Sequence, residues 1–278
     1  MSAVRRHKEV IDMPYVGTLC VTVDNLGRAA QIGTGEAVRP DLEEPGLKAL
    51  PRLLNLLDEV GITATFFVEG WNGLHHPDAL RSIASRGHEV GLHGWVHEKW
   101  ATLTDDRREV LLYDGTAALR NVGIEPKGFR APGGYRGSRT AQVLRELGYT
   151  FDSSVEPETE NAPLEVRPLL EGLVTIPWHW DMIDYYQYHM HPDGERSPAQ
   201  LLEHYNSRLD EAIRTGGLVT LIVHPFVSFT DGGDRYTAVR DFLSRAVAAP
   251  DVDVVSAGQL AARSLTREHG VTAGTAAQ

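Results

Sequence analysis

The chain has 278 residues, 42% hydrophobic and 23% charged, with a formal net charge of −11 and one cysteine. That length supports one large core, and the acidic balance excludes a nucleic-acid-binding surface, which needs a basic face. No disulfide framework is possible, no run reaches the 18 apolar residues of a membrane span, and no apolar stretch follows Arg5, Arg6 and Lys8, so a soluble, cytoplasmic protein is expected.

Residues 1–16 read as an N-terminal arm. Leu19-Cys-Val-Thr-Val23 then forms a short buried strand ending at Asp24-Asn25, and 26–40 is a long Gly- and Ala-rich loop. Leu47, Leu50, Leu53, Leu54, Leu57 and Val60 recur at three- and four-residue spacing, an amphipathic helix closed by Gly61. A strand over 63–68 and a helix over 77–85 lead to the histidine stretch, His88-Glu-Val-Gly-Leu-His-Gly-Trp-Val-His-Glu98. A helix opens at Thr104 and runs to Gly123. Strand ends are predicted at 128–132, 149–155 and 173–178, with a helix over 138–147 and an acidic, proline-bearing loop at 156–171. The polar loop at 181–196 precedes a helix from Ser197-Pro198 to Gly216, and the apolar strand 218–223 ends at His224-Pro225. A helix over 236–249, a strand over 252–255 and a short helix over 257–265 complete a single catalytic domain spanning 17–265. Residues 266–278 read as a flexible tail.

Strands alternate with helices, and the strands are continuous apolar runs rather than alternating ones. That is the signature of a parallel sheet covered by helices. With seven or so such units and no glycine-rich dinucleotide fingerprint, the expected fold is α/β, a distorted (β/α)7–8 barrel.

The chemistry gathers at strand ends. His93 and His97, four residues apart, would bring their Cβ atoms to about 5–6 Å on one helical turn, against roughly 13 Å on a continuing strand. A strand that stops at His93, with Gly94 free to turn, makes a metal clamp of two neutral imidazoles. Alone, the pair reads equally well as two surface histidines. Asp24, Arg130, Asp181 and His224 also follow strand ends, however, and in a barrel those ends converge on the face where active sites form. The aromatic cluster Trp178, Trp180, Tyr185, Tyr186 and Tyr188 is either a packed lid or a stacking wall.

These motifs resemble those of the polysaccharide deacetylases, the NodB-homology carbohydrate esterases, over about residues 16–261. Thr22-Val-Asp24-Asn25 is similar to the family's Thr-Phe-Asp-Asp, and His93-Gly-Trp-Val-His97 to its His-Ser/Thr-x-x-His. Arg130-Ala-Pro132, followed by Asp152-Ser-Ser154, resembles Arg-x-Pro, and Leu221-Ile-Val-His224 the terminal apolar strand ending in His. The variant His-Gly-x-x-His-Glu and the stretch Trp180-Asp181-Met-Ile-Asp184-Tyr185 are closest to a branch holding peptidoglycan deacetylase-like proteins, cyclic imide hydrolases and cofactor-free allantoinases. The resemblance implies a NodB-type barrel and one divalent metal ion, zinc first, with nickel, cobalt, iron or manganese as alternatives. It implies Asp24 as base, His224 as acid, Arg130 as the group orienting Asp24, and Asn25, His93 and His97 as ligands, with Pro132, Trp180, Asp181 and Tyr185 toward substrate. One departure matters: Asn25 stands where the family has its metal carboxylate. Either Asn25 binds through its oxygen, or Asp24 becomes the ligand and water or Glu98 serves as base.

The activity so implied is hydrolysis of a C–N bond, the deacylation of a small-molecule amine. The alternatives are hydrolytic opening of a cyclic imide or ureide, and a metal-free binding module that keeps the fold. The expected partner is a small-molecule substrate, with neither nucleic acid nor membrane; a homo-oligomer is compatible with the sequence.

Overall fold

The computed structural model describes residues 16–27, 29, 32, 44–155 and 162–275, with side chains to 267. Almost all of the predicted arm, most of the 26–40 loop and residues 276–278 lie outside the described residues. In chain order the elements are β1 (Gly17–Asp24), α1 (Pro45–Val60), β2 (Thr65–Val68), α2 (Gly70–His75), α3 (Pro77–Ser85), β3 (Glu89–Leu92) and α4 (Asp105–Asn121). Then come β4 (Gly128–Phe129), α5 (Thr140–Glu146), β5 (Phe151–Asp152), β6 (Arg167–Leu170), β7 (Leu173–Thr175), α6 (Asp184–His189) and α7 (Pro198–Thr215). The chain ends with β8 (Leu218–Val223), α8 (Pro225–Ser228), α9 (Asp234–Ala248), β9 (Val252–Val255) and α10 (Ala257–Thr275).

The sheet runs β6-β7-β5-β4-β3-β2-β1-β8, with β9 joined to β1. All pairings are parallel except the β6–β7 hairpin. β1 is the axis of the sheet: β8 follows it from Thr18 to Val23, while its other side takes β9 over Gly17–Cys20 and β2 over Thr22–Asp24. The sheet curls into a distorted barrel of the expected α/β class. Its seam carries one parallel bridge, Ile183 to Ile222, and a hydrogen bond from Thr220 Oγ1 to the Pro177 carbonyl at 2.7 Å.

Strand period two divides the side chains. Leu19, Val21, Val23, Phe66, Val68 and Leu92 point outward and pack in the large core with α1 residues such as Leu53 and Leu57. Cys20, Phe67, Phe151, Val174 and Ile176 form a separate inner cluster. Thr22 and Asp24 continue the inward register of Cys20, Glu69 continues that of Phe67, and His93 that of Gly91. The same alternation that fills the barrel therefore delivers polar groups to its upper mouth.

Local signals set the helix ends. Gly61 closes α1 in the left-handed conformation at φ 72°. Thr104 caps α4 by accepting the Arg107 N–H, and Ser197 with Gln200 forms a full capping box on α7.

Two expectations are corrected. The segment read as loop through 171 contains strand β6, paired antiparallel to β7 across a turn with Gly172 at φ 76°. Its half-exposed edge position and Pro168 hid it, because such a strand shows no apolar run. The terminal helix, predicted to stop at 265 with a flexible tail beyond, continues through Thr275. The short helices α2, α6 and α8 also went unpredicted, each too brief to show a 3.6-residue period.

Gly91 marks the tightest inward position of the histidine strand. A Cβ there would stand 2.7 Å from the Gly128 carbonyl oxygen and 2.9 Å from the Phe67 ring. Backbone cannot give way as a side chain can, so Gly91→Ala is expected to cost about 1–3 kcal/mol. Urea unfolding should show a lowered midpoint with an unchanged slope.

Candidate active site

Asp24 and Asn25 terminate β1. The chain turns there because Asn25 is left-handed, at φ 65°, a conformation Asn tolerates better than most residues. Its backbone N–H is held by the Phe67 carbonyl at 3.1 Å.

After β3 the backbone turns tightly rather than entering an α-helix. The two histidines meet because Gly94 and His97 both take positive φ, 70° and 57°. Their rings lie edge to face, centroids 4.9 Å apart. The turn is braced by its surroundings: Glu98 accepts the Trp95 and Val96 N–H groups at 3.0 and 3.2 Å, and the Gly94 and Trp95 carbonyls accept from Gly70 and Trp71 of α2. Pro132 closes over Gly94, where an added Cβ would stand 2.8 Å from its ring. Glu98, considered from sequence as a substitute base, has its carboxylate committed to this turn.

Arg130 crosses the barrel mouth with 1% exposure. Its Nε donates to the Ser153 carbonyl at 3.0 Å, its Nη2 to Ser153 Oγ at 2.7 Å, and its Nη1 to Thr22 Oγ1 at 2.9 Å and Asp24 Oδ1 at 2.7 Å. The guanidinium also covers the Phe67 ring at 4.3 Å. Burial alone would raise the Asp24 carboxyl, but Arg130, with His93 and His224, outweighs it and holds the group below the usual carboxylate range. The second oxygen, Oδ2, stands 3.9 Å from His93 Nε2.

The Arg130 carbonyl contacts His93 Nδ1 at 2.8 Å. A carbonyl only accepts, so Nδ1 carries the proton and the Nε2 lone pair is the free one. Burial lowers the pKa of both imidazoles, that of His97 to about 3, so each is neutral. Two donors each about 2.1 Å from one ion stand no more than roughly 4.2 Å apart. The His93 Nε2 to Asp24 Oδ2 separation meets that limit for this pair. Among the described residues, however, no three His, Cys, Asp or Glu side chains converge closely enough to hold an ion by themselves, so a full shell needs a donor of another kind, such as the Asn25 amide oxygen or water.

His224 follows β8, the strand paired to β1 with Val223 beside Val23, so it stands next to Asp24. Its Nδ1 contacts Asp184 Oδ1 at 2.7 Å, and its backbone N–H donates to Asp184 Oδ2 at 3.0 Å. Asp184 is fully buried and also accepts Ser228 Oγ–H at 2.6 Å and the Tyr185 N–H at 2.7 Å. Burial alone would lower the His224 pKa, yet Asp184, with a contribution from Asp24, outweighs it and raises the value. The sequence points to Asp181 toward substrate, whereas the structure puts Asp184, three residues on, against His224. Asp184 leads α6, a helix too short to be seen by period, so its direction was not legible.

These groups share one cavity of about 540 Å³. Asp24, Asn25, His93, His97, Arg130 and His224 line it, and Trp180 and Tyr185, expected toward substrate, lie in its wall. Pro132 and Asp181 are not among the lining residues. Pro132 supports the histidine turn, and the Asp181 carboxylate lies 3.2 Å from His204 and 3.4 Å from Arg208 of α7.

The model of one protein family, polysaccharide deacetylase, matches residues 44–151. A solved Mycobacterium smegmatis structure assigned as a polysaccharide deacetylase is 30% identical, with a TM-score of 0.81 over 92% of this chain and 93% of that one. The chain belongs to the polysaccharide deacetylase family. Within this family it is also 28% identical to a peptidoglycan deacetylase of Helicobacter pylori, over 50% of this chain and 55% of that protein. The chain spans about half the length of the curated relatives it matches. An allantoinase structure shares the deacetylase fold, with a TM-score of 0.73 at 16% identity over 93% of this chain and 97% of that one.

The Asp184–His224 contact yields a pH prediction. A raised folded-state pKa means the charged pair's stabilisation is fully present below the unfolded value, about 6.5. It is lost as pH rises through the higher folded value. In Asp184→Asn, His224 should titrate at lower pH than in the parent, read from its Cε1–H shift by NMR, and the stability difference between the two proteins should shrink as pH rises through the parent's value.

Proposed function

We propose that this deacetylase-family chain is a divalent-metal-dependent amide hydrolase that removes an acyl group from the nitrogen of a small metabolite. The observation that carries this reading is the gathering, in one cavity, of His93, His97, Asn25 and an Arg130-paired Asp24 with an Asp184-backed imidazole, His224. His93 and His97 would hold the ion, with Asn25 or Asp24 as the third donor. An ion held there would supply Lewis-acid polarisation of water and of the scissile carbonyl.

The protein groups supply the rest. Asp24, kept ionised and oriented by Arg130, takes the proton of the attacking water as the C–O bond forms. Gly133 lines the cavity next to the Arg130 turn, and its backbone N–H is the candidate donor to the oxygen where negative charge collects. His224, favoured in its protonated form by Asp184, gives its proton to the leaving nitrogen as the C–N bond breaks. Water is consumed, and a carboxylic acid and an amine leave.

The shape and lining of the cavity support a small substrate. Its volume is in the range of small-ligand pockets, and Trp178, Trp180, Tyr185, Tyr186 and Phe226 wall it. Those rings favour an apolar or planar group beside the scissile bond. The single, fully buried cysteine Cys20 suits the reducing cytoplasm in which such a substrate would be met.

His93→Ala and His97→Ala should each lose bound metal on elemental analysis while remaining folded. His224→Ala should keep its metal and lose about 10²–10⁴ in turnover. The substrate is sought with a panel of N-acetylated amines and cyclic imides, products read by mass spectrometry. Release of acetate with a free amine supports deacylation, and a ring-opened product one water heavier replaces it with imide or ureide hydrolysis. Turnover undiminished by exhaustive metal removal defeats the metal-dependent reading, and a protein that neither holds metal nor turns over any substrate is a binding module.

A further inference from the structure

Around Asp24 and around His224 the cavity differs in kind. The Asp24 carboxylate has polar neighbours, Arg130 at 2.7 Å and His93 at 3.9 Å. His224 has apolar ones. Its imidazole centroid lies 5.4 Å from that of the Phe226 ring and 5.8 Å from that of Tyr185, and the two rings stand 6.3 Å apart. Met190, just after α6, lines the same cavity. Tyr185 and Met190 are 39% and 54% exposed, so the cavity presents open apolar surface. Single apolar residues on a surface are ordinary, whereas a group of them beside a reacting atom marks a binding surface. One carboxylate places this group. Asp184 holds His224 Nδ1 at 2.7 Å and accepts the Tyr185 backbone N–H at 2.7 Å. It also accepts Ser228 Oγ–H at 2.6 Å, from α8, the short helix that carries Phe226. The imidazole and both rings therefore form one built unit.

We propose that Tyr185, Phe226 and Met190 form a subsite for an aryl or other apolar substituent on the leaving nitrogen, which makes the substrate an N-acyl aralkylamine rather than an N-acyl sugar. With Nδ1 held by Asp184, the other ring nitrogen, Nε2, is the one that can reach a substrate. A leaving nitrogen within hydrogen-bond reach of Nε2, about 3 Å, brings its own substituent against the rings beside that imidazole. The substituent on the carbonyl carbon lies across the scissile bond, toward Asp24 and its polar neighbours. An aryl group gains in the subsite by burial and by edge or offset ring contact. A sugar there would press several hydroxyls against three side chains that carry one hydroxyl between them, that of Tyr185, and unmatched buried hydroxyls are costly. Which atom is the leaving nitrogen rests on the hydrolase reading above; the apolar subsite beside His224 does not.

The test compares two isomeric amides and a sugar amide on the full-length protein. N-benzylacetamide carries its ring on the nitrogen, N-methyl-2-phenylacetamide carries the same ring on the acyl side, and N-acetylglucosamine carries a sugar on the nitrogen. Hydrolysis gives acetate with benzylamine, phenylacetate with methylamine, and acetate with glucosamine. The zinc-loaded protein should hydrolyse N-benzylacetamide with a kcat/KM about 10-fold or more above either of the others. Binding to chelator-treated protein, read by tryptophan fluorescence, should follow the same order. Tyr185→Ala removes a partly exposed ring and keeps the N–H that meets Asp184, while Phe226→Leu removes a ring and keeps apolar volume. In each variant, checked as folded by circular dichroism, the advantage of N-benzylacetamide over its isomer should shrink by about 2–10-fold, the worth of an aromatic contact. An isomer or a sugar amide that equals or exceeds N-benzylacetamide overturns the proposal, as does an unchanged advantage in both variants. Turnover of none of the three compounds counts against the hydrolase reading instead, and the binding series still decides the subsite. There, N-benzylacetamide held more tightly than the other two, and weakened in Tyr185→Ala, upholds the subsite, and equal binding overturns it.

Discussion

The site depends on one buried ion pair. Placing a guanidinium at 1% exposure inside a barrel carries a desolvation penalty of several kcal/mol, recovered only if the charge is paired and its N–H groups are satisfied. Asp24, Thr22 and both acceptors of Ser153 do that for Arg130. The residues so engaged come from β1 and from the chain following β4 and β5. The pair therefore holds one position across the barrel, and other parts of the site refer to it. The Arg130 carbonyl fixes the His93 tautomer, and Ser153, besides meeting its guanidinium, accepts the Trp178 indole N–H at 2.8 Å through its carbonyl. Removing one partner would leave an uncompensated charge in the interior, so the geometry of the site and the stability of the fold are tied together here.

A second constraint is the distribution of charge. Asp24 and Asp184 serve the same cavity from the ends of neighbouring elements, one braced by a permanent cation and the other by an imidazole. The first arrangement keeps a carboxylate ionised, whereas the second favours a protonated histidine. An ionised carboxylate and a protonated imidazole can thus coexist at one pH, because environments set their proton affinities apart. The histidine pair after β3 stays neutral by burial, the form in which imidazole donates a lone pair.

Much of this was legible in the residues. Continuous apolar strands alternating with periodic helices gave a parallel, helix-covered sheet, and the fold neighbours agree. Asp24, His93, Arg130 and His224 were legible as candidates because each follows a strand whose apolar run is visible, and His97 because it stands four residues after His93. The pieces that escaped lacked such a flank. Asp184 leads a one-turn helix, and β6 is an edge strand with a proline.

What the sequence by itself determined is the layout: which strands exist, that they run parallel, and which polar residues stand at their ends. Those properties follow from spacing and hydropathy along the chain. Only the tertiary structure decided direction and partnership. Asp184 rather than Asp181 reaches His224, Glu98 binds a turn, and Pro132 supports that turn. Each of those outcomes depends on where a side chain points relative to groups as many as 44 residues away in the chain. Burial then fixes proton affinities that no linear pattern encodes, because the desolvation of a carboxylate is a property of what surrounds it in space.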